Sequence, residues 1–180
     1  MAIEAPAALW STFTAKSELL GAAVMRAASP EAAVELLRET AGEFACTANV
    51  GERYPEIAAH STSTQTQTAE LVAPGELAVA ETGSVLLDQP AHDRGRCFLS
   101  ERLWLLVSES DIVPNLDAAL ARITDLIKAG SPHPLLMSGP SRTADIERVL
   151  TIGVHGPRAV VVIVLASHLT GRSAQCETAA

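Results

Sequence analysis

This sequence predicts an α/β fold, a largely parallel sheet with flanking helices, on three observations. Leu103-Trp-Leu-Leu-Val107 and Ala159–Leu165 are short aliphatic runs without alternation, as strands buried on both faces are. Between them, Leu116, Ala119, Leu120, Ile123 and Ile127 recur at helical spacing, with Asn115 ahead of them as a cap and Gly130 behind. A strand–helix–strand–helix–strand order over residues 103–165 then requires crossover connections, and crossovers make neighbouring strands parallel.

The remaining elements follow in chain order. Leu9, Phe13, Leu20 and Val24 predict an opening helix over residues 8–20 that ends at Gly21, and Ala22–Ala27 a short strand. Ser29-Pro30-Glu31 starts a helix with Ser as N-cap and Pro at the first helical position; Val34, Leu36 and Leu37 give its buried stripe, and Gly42 stops it. Phe44–Ala48 reads as a strand and Glu52–Ala59 as a short helix, while Ser61–Thr68 has no apolar residue and reads as an exposed loop. Gly75–Ala80 reads as a short helical turn, Gly83–Leu87 as a strand, and Asp88–Arg96, with Pro90 and Gly95, as a loop. Pro134–Met137 is expected to be a strand and Arg142–Leu150 a helix. Residues 1–169 read as a single domain, and the small, polar stretch 170–180 as a disordered tail.

Composition narrows the function. The chain has 180 residues, 48% hydrophobic but 3% aromatic, so its core is aliphatic. A net charge of −8 with no basic run argues against nucleic-acid binding. Cys46, Cys97 and Cys176 are odd in number and far apart, which predicts neither a disulfide framework nor a metal or iron–sulfur site held by this chain. The amino terminus lacks the basic and apolar regions of a signal peptide, and the apolar run 159–166 is far shorter than the ~20 residues of a membrane span. These point to the cytoplasm.

Three clusters carry chemistry. In Met137–Asp145 a strand runs into a small-residue turn, where Ser138, Gly139, Ser141, Arg142 and Thr143 offer hydroxyls, backbone N–H groups and a guanidinium to a carboxylate or phosphate. Alternatively Ser141 or Thr143 only caps a helix while Arg142 faces water; Asp145 and Glu147 already complement that helix's dipole. In Ala80-Glu-Thr-Gly-Ser84, Glu81 suits a general base, a nucleophile or a substrate anchor, or else a carboxylate bonded to local backbone; Thr82 and Gly83 stand beside it. The turn Gly153–Pro157 holds His155. Placed at the far end of a helix of about 9 residues, it falls roughly 14 Å from the pocket and reads as structural or interfacial. Asp88, His92 and Asp93 form a weak metal grouping, better read as a solvated turn.

Together Ala78–Val85, Asp111-Ile-Val113, Ser138-Gly-Pro-Ser-Arg-Thr-Ala-Asp-Ile-Glu147 and Gly153-Val-His-Gly-Pro157 resemble the LUD domain family, of the lactate utilization protein C (LutC) type. The likeness covers residues 70–166 firmly and the amino-terminal half loosely. It implies a three-layer fold of the NagB/RpiA/CoA-transferase kind, and a non-iron–sulfur subunit of a system that oxidises L-lactate to pyruvate. The clusters would then sit on iron–sulfur partner subunits. It also implies a comparison of Glu81 with the catalytic carboxylate of CoA transferases. Many members carry a Pro and a His near Leu99–Leu103, where this chain has Ser100 and Leu103, so that His has no counterpart here.

The expectation is a small-anion pocket formed by residues 81–84 and 138–145, with Glu81 as the catalytic candidate. Two alternatives stand beside it: a stand-alone acyl or CoA transferase using Glu81, and a non-catalytic scaffold or regulator of iron–sulfur partners.

Overall fold

The structure is a computed structural model that describes residues 6–62, 69–131, 133–143, 151–153 and 155–166. Helix α1 (Pro6–Leu19) leads into β1 (Ala23–Ala27). Helix α2 (Pro30–Thr40) starts as its sequence requires, with the Ala32 amide donating to Ser29 Oγ at 3.3 Å. Strand β2 (Ala45–Cys46), helices α3 (Ala48–Arg53) and α4 (Pro55–Ala58), and strand β3 (Glu70–Pro74) follow. Strands β4 (Leu77–Val79) and β5 (Ser84–Leu87) form a hairpin, and helix α5 (Ala91–Leu99) returns the chain to β6 (Arg102–Ser108). The short β7 (Ile112–Val113) precedes α6 (Leu116–Lys128), whose Ala118 amide donates to Asn115 Oδ1 at 3.1 Å. Strand β8 (Leu135–Met137), the paired β9 (Arg142–Thr143) and β10 (Thr151–Ile152), and β11 (Ala159–Leu165) complete the described chain.

The expected parallel sheet is present, with strand order β1-β11-β6-β3-β2 and every pair parallel. Its two central strands pair Leu105 with Val162, and both are buried almost throughout. Alternation splits their side chains between two aliphatic clusters. Trp104, Leu106, Val161 and Ile163 meet Val34, Leu37, Val50, Tyr54 and Ile57 of α2–α4. Leu103, Leu105, Val162 and Val164 face the other way, onto Phe13 of α1, Cys97 of α5 and the inner residues Ala78, Val85 and Ile112 of a second sheet. Trp104 is core, as its sequence setting suggests, and Trp10 packs partly buried against it all.

That second sheet, of order β7-β4-β5-β8, is where expectation and structure part. Residues 77–79 are a strand and not a helical turn, since the Glu76 amide donates to Leu86 O at 2.7 Å and Ala78 pairs with Val85. Strand β8 exists, but it runs antiparallel to β5 and does not join the parallel sheet. Helix α6 therefore covers the second sheet through Ala119 and Leu126, and is not a crossover helix of the first. Residues 91–99 are helix where a loop was expected. The inner face of α5 carries Asp93 beside Cys97, and a buried carboxylate there breaks the apolar periodicity that would have marked a helix. Arg142 and Thr143 do not open a helix; they pair antiparallel with Ile152 and Thr151. The rest of that expected helix, the loop at 63–68 and the tail 170–180 lie outside the described residues. No helix among the described residues is long and apolar enough to cross a membrane.

Candidate functional site

The two motif segments do meet. Ser84 Oγ and Ser138 Oγ lie 2.6 Å apart, joining the start of β5 to the residue after β8. What closes this joint is the carboxyl end of α1. Gly83 has φ +66°, and a Cβ there would stand 2.6 Å from Ser17 N; Gly139 has φ +78°, and a Cβ there would stand 2.8 Å from Leu20 O. Only glycine suits both demands, the left-handed backbone and the close approach of another chain segment. Ser17, fully buried, donates from Oγ to Gly83 O at 3.0 Å. Arg142 reaches over from the other side and donates from Nη2 to Leu20 O, a last-turn carbonyl at the negative end of α1. One of its five N–H donors is used in this way.

Glu81 is exposed, and its Oε2 accepts from the Leu116 amide at 3.0 Å, at the first turn of α6. The adjoining backbone continues the second sheet, with Ala80 N donating to Val113 O at 2.9 Å and Glu81 N to Pro114 O at 3.1 Å. Thr82 Oγ1 is buried and without a partner among the described residues, as is Thr14 Oγ1 on α1. Ser141 is held by backbone: its amide donates to Pro157 O at 2.9 Å, and its carbonyl accepts from Gly153 N at 3.0 Å. The Gly153–Pro157 turn is therefore in contact with the Ser138–Thr143 segment, which corrects the expected separation of roughly 14 Å drawn from a straight helix. His155 itself is exposed, on a cleft of about 360 Å³ shared with Phe98, Leu99 and Arg158. Asp145 lies outside the described residues.

Of the weak metal grouping, His92 Nε2 lies 3.5 Å from Asp93 Oδ2, but no three such ligands come together among the described residues. Asp93 is 1% exposed, pairs with Arg96 at 2.6 Å and accepts from the Ala48 amide, whereas Asp88 Oδ1 accepts from Ser131 Oγ. Burial pushes the Cys46 thiol up to about 11 and the Cys97 thiol up to about 12, so both stay protonated at neutral pH. Sequence reasoning missed Ser17 and Leu20, the residues of α1 that fill the joint. Their one signal was Gly83 and Gly139 themselves, since paired turn glycines mark places where another backbone comes close.

Residues 71–165 match the LUD domain family. Over 99 residues the chain is 36% identical to a lactate utilization protein C of Geobacillus thermodenitrificans, a match covering 52% of this chain and 41% of that one. Over 92 residues it is 39% identical to a lactate utilization protein C of Deinococcus radiodurans, covering 49% and 42% respectively. The chain thus spans about two-fifths of the length of the curated relatives it matches. Among solved structures, the crystal structure of a DUF162 family protein from Deinococcus radiodurans superposes with a TM-score of 0.63 at 18% identity, covering 91% of this chain and all of that one. At that identity the likeness speaks for the fold alone.

Proposed function

We propose, from the premise that this chain belongs to the LUD domain family, that it serves lactate utilization as a subunit without an iron–sulfur cluster of its own. Its ligand is a small carboxylate or phosphate, held where residues 81–84 meet 138–145. The observation that carries this reading is the 2.6 Å contact of Ser84 with Ser138, which brings the two motif segments together. The serine pair keeps one of its two hydroxyl protons for a ligand, and Arg142, four residues after Ser138, gives one of its five donors to Leu20 O among the described residues; together they make a donor set suited to a carboxylate. Thr82, whose buried hydroxyl has no partner among the described residues, adds a further donor close by in the chain. The clusters that carry electrons sit on iron–sulfur partner subunits; the wide spacing of Cys46, Cys97 and Cys176 along the chain supports that division. A cytoplasmic location goes with it.

In this reading the chain's residues bind and orient. Arg142 neutralises the ligand's charge, and Ser138 and Ser84 fix its register. One observation favours the scaffold alternative over acyl transfer: Glu81 Oε2 already accepts from the Leu116 amide at 3.0 Å, so that oxygen is engaged in holding α6.

The test is thermal stability of the full chain with L-lactate, pyruvate, phosphate and CoA, for wild type and Arg142→Lys. Lysine keeps one donor for Leu20 O and loses the planar fork. The expected outcome is stabilisation by a small anion that falls about tenfold in affinity in the variant, the worth of one charge-assisted bond. Equal stabilisation of both proteins would remove Arg142 from the site. Absence of any shift would leave the scaffold reading in its place.

A further inference from the structure

A cleft of about 410 Å³ lies between α3 and the carboxyl end of α6, within the range of small-molecule sites. One wall is Ala48 and Asn49, directly after β2, so it stands at the carboxyl edge of the parallel sheet, where open α/β sheets bind ligands. The other wall is Ala129, Gly130 and Ser131, and the floor is the Asp88–Ala91 link from β5 to α5. None of residues 81–84 or 138–142 lines it.

The polar groups of the floor are already fixed in place. Asn49 donates from Nδ2 to Asp88 O at 3.1 Å, Thr47 donates to Asn49 Oδ1 at 2.8 Å, and Ser131 donates to Asp88 Oδ1. Gln89 lines the cleft at 7% exposure and spends its Nε2 on Pro74 O at 3.0 Å. Its Oε1 is buried and has no partner among the described residues. A buried amide oxygen without a donor carries an uncompensated desolvation cost that a bound N–H would relieve. The charges agree with that polarity. Among the described lining residues Glu52 and Asp88 are the ionisable ones and none is Lys, Arg or His, while the last turn of α6, which carries Lys128, brings the negative end of its dipole.

We propose that this cleft binds a small molecule through a protonated amine, offering Gln89 Oε1 and the Asp88 carboxylate as acceptors, with Glu52 adding charge at the rim. The site is separate from the anion joint and opposite to it in sign, so lactate and other carboxylates are repelled from it.

Calorimetric titration of the full chain with 1,4-diaminobutane at low salt tests this. Saturable binding at one site is expected, weakened about tenfold by Glu52→Gln and by Asp88→Asn, which keeps an acceptor for Ser131. Glu43→Gln, an exposed carboxylate at the opposite end of β2, serves as the control and leaves affinity unchanged. Binding that does not saturate, no binding, or equal loss in all three variants overturns the proposal, because each reduces the effect to the chain's net negative charge. Competition by L-lactate overturns it too, since it places the diamine on the anion joint; absence of competition supports it. Failure of the anion reading leaves this result untouched.

Discussion

The centre of the parallel sheet and the joint beneath α1 hold their shape by different means. At the centre, Leu105, Leu106, Val162 and Ile163 are buried on both faces by aliphatic neighbours, and any side chain of the right volume serves. At the joint almost nothing is apolar. Gly83, Gly139, Ser17, Ser84 and Ser138 are chosen for what they lack, a Cβ in the way, or for one hydroxyl in one place. The contrast teaches that turns inside the region matched to the LUD family do structural service: Gly83 and Gly139 seat a helix that lies outside that region.

That contrast can be broken from either side. The largest effect is expected at the centre, where Leu105→Ala removes a fully buried side chain and costs about 3 kcal/mol in urea unfolding. Gly83→Ala comes next, at about 2 kcal/mol, because it combines a left-handed backbone with a backbone clash at Ser17. A near-neutral Gly83→Ala would mean that α1 is not seated on the turn at all. Glu81→Ala is expected to cost about 1 kcal/mol through loss of its bond to the Leu116 amide in the first turn of α6, with unchanged folding cooperativity. The smallest effect at neutral pH belongs to the cysteines. Their folded values, about 11 and about 12, lie above the ordinary 9.0, so the unfolded chain gives up these protons first. Their contribution is therefore fully present below pH 9 and is lost as pH rises through the folded values; the urea midpoint should fall only above about pH 9.

How legible was this in the sequence? Buried strands announce themselves, since Leu103–Val107 and Ala159–Leu165 need no partner to be recognised, and Ser29-Pro30 and Asn115 mark helix starts by cap chemistry alone. Of the second sheet, Gly83–Leu87 and Pro134–Met137 were legible as strands, but β4 and β7, three and two residues long, are too short for periodicity to separate them from turns, so the antiparallel pairing stayed hidden. Helix α5 stayed hidden because it buries an ion pair, Asp93 with Arg96, in place of an apolar stripe. At the site, the segments 81–84 and 138–143 were legible as partners through their shared small-residue chemistry, and they do touch. Their cover was not, because nothing in residues 14–20 distinguishes an ordinary amphipathic helix from one whose last carbonyls are gripped by Arg142. Ser141 and the Gly153–Pro157 turn meet through backbone bonds alone, which side-chain patterns do not report.

The central claim is that a small anion sits where these two segments meet. Its most direct measurement is a titration of the isotope-labelled chain with L-lactate, followed through the backbone amide resonances. Thr82, Gly83, Ser84, Ser138, Gly139 and Arg142 are expected to shift together and saturably, while Asn49 and Gly130 at the α3–α6 cleft stay still. Saturable shifts confined to other residues, or none up to high lactate concentration, would contradict it.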